Sequence, residues 1–91
     1  MTSQESHLKM CLSAAVPLWI AEIRRMSPEE VQKRLPICSK HIAEHGDNIL
    51  YKSKKAGGTR DAFNRLAESV AILSFVPGGV TFMGMHFEAK H

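Results

Sequence analysis

The chain has 91 residues, 44% of them apolar and 23% charged, and a formal net charge of +3 with histidines neutral. That is one globular domain (residues 1–91) rather than a disordered chain, and it lacks the apolar run of about 18 residues that would cross a membrane. The opening MTSQESHLKM has no basic segment leading into an apolar block and a cleavage site, so the expectation is a cytoplasmic protein without a secretory signal.

Residues 1–6 are polar and expected to fray. From there Leu8, Cys11, Leu12, Ala15, Trp19, Ile20 and Ile23 step along mostly at threes and fours. This spacing predicts an amphipathic helix, with Lys9, Glu22, Arg24 and Arg25 off the stripe. Pro17 lies inside it. Because the apolar phase is kept across the proline, a kink is expected rather than a break. Trp19 reads as a core anchor.

Ser27-Pro28-Glu29-Glu30 is the clearest local signal. Ser27 suits an N-cap, Pro28 the first helical position, and Glu30 the far corner of a capping box. Met26 would staple the entry. The helix that follows carries Val31, Leu35, Cys38, Ile42, His45 and Ile49 at alternating steps of four and three. The stripe runs past Pro36 and Gly46, so both read as kinks or short breaks in one path. Residues 52–58 then form a basic, glycine-containing linker.

Thr59 is an N-cap candidate, and Asp61 suits the positive end of a helix dipole. Phe63, Leu66, Val70 and Leu73 make the next apolar face, thickened by Ala62, Ala67 and Ala71. Arg60, Asn64, Arg65 and Glu68 lie opposite. Past Ser69 the run VAILSFV is apolar nearly all round, which predicts burial on more than one side. Pro77 stops the helix and Gly78-Gly79 permits a tight turn. Val80-Thr81-Phe82-Met83 then reads as one extended stretch with no partner strand identifiable in the chain. It is expected either to close the core as an arm or to offer an edge to another copy.

The run from Leu73 to Phe82 (LSFVPGGVTF), followed by His86-Phe87-Glu88-Ala89, resembles the C-terminal signature of a group of small bacterial proteins without an assigned function. Gly46-Asp47-Asn48-Ile49-Leu50-Tyr51 and the basic Lys52-Ser53-Lys54-Lys55 are similar to that group's upstream segments. The likeness covers roughly the C-terminal half. It implies no activity that can be carried over.

Three segments could carry chemistry. His41-Ile42-Ala43-Glu44-His45 matches the H-x-x-E-H pattern of zinc hydrolases, whose third ligand here would come from Asp47, His86, Glu88 or Cys38. Against it, His45 sits on the apolar stripe and the chain is short for a peptidase cleft. Lys52, Lys54, Lys55, Arg60 and Arg65 surround a glycine-rich loop and a helix start, a place that favours anions such as a phosphate backbone. A sequence pI of about 9.1 agrees only mildly with that. Val80, Phe82, Met83, Met85 and Phe87 form an apolar C-terminal group suited to a partner surface. Cys11 and Cys38 are expected to be reduced, although their spacing leaves a disulfide open.

The expected architecture is therefore mainly α: a small bundle of three to four helices with a short extended C-terminal arm after the Pro-Gly-Gly turn. The expected function is non-catalytic. It is a protein–protein interaction module, expected to be a homodimer: an adaptor, a regulator, or an inhibitor of a larger complex such as phages direct against host defence. Nucleic-acid binding through residues 52–65 is the alternative, and a metal-dependent hydrolase through residues 41–45 the remote one. No cofactor and no membrane partner is expected.

Overall fold

The computed structural model describes the backbone of residues 3–52 and 59–90, and side chains of 6–44 and 60–90. Three helices, α1 (Ser3–Ile23), α2 (Pro28–Lys52) and α3 (Thr59–Leu73), are followed by two strands, β1 (Val80–Phe82) and β2 (Met85–Phe87). The mainly helical reading holds, with three helices among the described residues. Lys52 belongs to α2, and the remainder of the basic linker (53–58) lies outside the described residues, as do the side chains of Thr59, His45 and Ile49.

α3 is the element on which the others pack. It lies against both α1 and α2, which barely touch each other. The reason is in its composition: Leu66, Ala67, Val70, Ala71 and Ile72 are all buried, and its small alanines let two neighbours approach on different sides. Leu12, Val16 and Ile23 of α1 and Val31 and Cys38 of α2 complete the core. Full burial of each large side chain among them contributes about 1.5–3 kcal/mol.

Both internal prolines are carried without ending a helix. Ser13 and Gln32, whose carbonyls lose their helical donor to Pro17 and Pro36, are both exposed residues on the solvent side. The α1–α2 junction follows the sequence signal. The Glu30 N–H donates to Ser27 Oγ at 3.2 Å. Met26 is half-buried and Val31 buried in the same cluster, the two ends of a hydrophobic staple. The Glu30 carboxylate stands 3.9 Å from Arg34, which also reaches Glu68 of α3 at 3.7 Å.

The C-terminal stretch corrects the expectation of a partnerless arm. β1 pairs antiparallel with β2, with Val80 opposite Phe87, Thr81 opposite His86, and Phe82 opposite Met85. Met83 (φ 53°) and Gly84 (φ 75°) form the two-residue link, both left-handed, as a primed hairpin turn requires. Upstream, the Gly79 N–H donates to Val76 O at 2.9 Å, closing a turn with Pro77 second and Gly78 (φ 86°) third. The tail is then tied down twice. The Ala89 N–H donates to Ser74 O at 2.8 Å, and Arg24 Nε donates to Lys90 O at 3.4 Å. The ends of α1 and α3 and the C-terminal tail thus meet at one end of the bundle.

Candidate functional site

Alternation along a strand sends Val80, Phe82, Met85 and Phe87 to one side of the hairpin. All four, with Met83, are half-buried against the helical core. The residues expected to form a partner surface thus pack in part against the protein's own core. On the other side of the hairpin, Thr81 Oγ1 and His86 Nδ1 are hydrogen-bonded at 3.0 Å, and His86 Nε2 lies 3.7 Å from Glu88 Oε1. A hydroxyl, an imidazole and a carboxylate in line have the order of an activated nucleophile. These three are exposed, so water competes for each contact. Sequence reasoning missed this grouping because only the strand register brings Thr81 to His86.

The H-x-x-E-H segment lies on α2. His41 is half-buried, and Glu44 is exposed, 3.9 Å from Lys40. Cys38 is buried, and the side chains of His45 and Asp47 lie outside the described residues. Among the described residues, no three of His, Cys, Asp and Glu stand close enough to hold a metal ion. Burial pushes the Cys38 thiol above its ordinary value, with a Ser69 hydrogen bond acting the other way. Both cysteines are free thiols.

Of the basic residues, Arg60 and Arg65 are exposed near the start of α3. Five residues apart, they point about 140° from one another around the helix axis, so they do not share a face. The side chains of Lys52, Lys54 and Lys55 lie outside the described residues.

The face that the sequence reading did not single out is the outer side of α1. Met10, Ala14, Pro17, Leu18 and Ala21 are all exposed, Met10 at 65% and Leu18 at 71%. At about 100° per residue they fall within a sector roughly 100° wide, centred opposite the buried Leu12, Val16 and Ile23. α1 is apolar on both sides. The signal was present: from Met10 to Ala21 the chain has no charged residue, and Ser13 is the one polar side chain. An amphipathic surface helix would carry charge on its outer face. Exposed apolar residues that line up in this way mark contact surfaces more often than scattered ones do. Among the described residues, no helix is long and apolar enough to cross a membrane.

No protein-family model matches the chain, and no curated protein or solved structure matches it.

Proposed function

We propose that the chain is a non-catalytic, cytoplasmic protein–protein interaction module, an adaptor, regulator or inhibitor of a larger complex, that docks through the outer face of α1. One observation carries this reading. α1 buries Leu12, Val16 and Ile23 against its own core, yet presents Met10, Ala14, Leu18 and Ala21 to solvent. Holding that much apolar surface in water is unfavourable by about 25 cal/mol per Å², and a partner would remove the penalty. The C-terminal group proposed from sequence as the docking patch is half-buried against the core, whereas the outer face of α1 is exposed, so the docking role is placed on α1. The likeness to small bacterial proteins adds no competing activity.

Photo-crosslinking in the native cell tests this. A photoreactive residue at position 18 should give a discrete adduct, and one at the exposed Lys33 of α2 should not. Equal labelling from both positions, or none from position 18, would overturn the reading.

A further inference from the structure

We draw no further inference here: the strongest candidate, the exposed apolar outer face of α1 at Met10, Ala14, Leu18 and Ala21, belongs to the docking site already described, and nothing in the structure shows what covers it.

Discussion

The backbone N–H of Ala89 donates to the carbonyl of Ser74 at 2.8 Å, joining the C-terminal tail to the end of α3. Ser74 is fully buried with the tail in place. A chain ending at Glu88 leaves it without that donor. The expected loss is about 1–3 kcal/mol, the usual cost of an unsatisfied buried polar group, read as a lower urea midpoint. An unchanged midpoint would show that the tail is not part of the core.

Gly78 and Gly79 offer a paired test of the turn. Both have positive φ, which disfavours alanine by about 1–2 kcal/mol. They differ in surroundings. A Cβ on Gly78 meets nothing, whereas one on Gly79 overlaps the carbonyl oxygen of Phe87 at the end of β2. Gly79→Ala should therefore cost clearly more than Gly78→Ala in thermal unfolding. Equal losses would mean that β2 is not seated against the turn.

The two leucines of α1 should behave oppositely. Leu12 is fully buried and Leu18 is 71% exposed. Leu12→Ala is expected to cost about 2–5 kcal/mol, the range for deleting a core side chain. Leu18→Lys should stay within about 0.5 kcal/mol of the parent, as substitutions of exposed residues do. Circular dichroism during urea unfolding measures both. A large loss at Leu18 would show that it supports the fold rather than a contact.

Sequence alone carried much of the helical frame and little of the surface. Ser27-Pro28 announced the start of α2 through chemistry local to four residues, whereas α3 ends at Leu73, four residues before the Pro77 that was expected to stop it. The hairpin was hidden for an equally local reason. Its strands are three residues each, and its link is Met83-Gly84 rather than the Asn-Gly that usually marks such a turn. The outer face of α1 was hidden because a stripe at threes and fours on one side draws attention from an equally apolar opposite side. Sequence reasoning assigned docking to Val80 and Phe82, and the structure places both half-buried against the helical core.

Alkaline stability should report on Cys38. Its folded-state value is raised from the ordinary 9.0, first by burial. The unfolded chain thus loses this proton at lower pH than the folded one. The contribution to stability is full below pH 9.0 and is lost as pH rises through the higher folded value. Unfolding midpoints should fall above pH 9, and less so in Cys38→Ala. A thiol reagent at pH 8 should label Cys11 faster than Cys38. Equal labelling rates would contradict the burial of Cys38.

The most direct test of α1 as the docking face is hydroxyl-radical footprinting of the native protein, in the cell and after purification to the monomer. Met10, Leu18 and Ile37 are the large apolar side chains most exposed, at 65%, 71% and 69%. Met10 and Leu18 should be protected in the cell and become reactive in the monomer, while Ile37 on α2 reacts alike in both. Protection of Ile37 with Met10 and Leu18 unprotected would contradict the account.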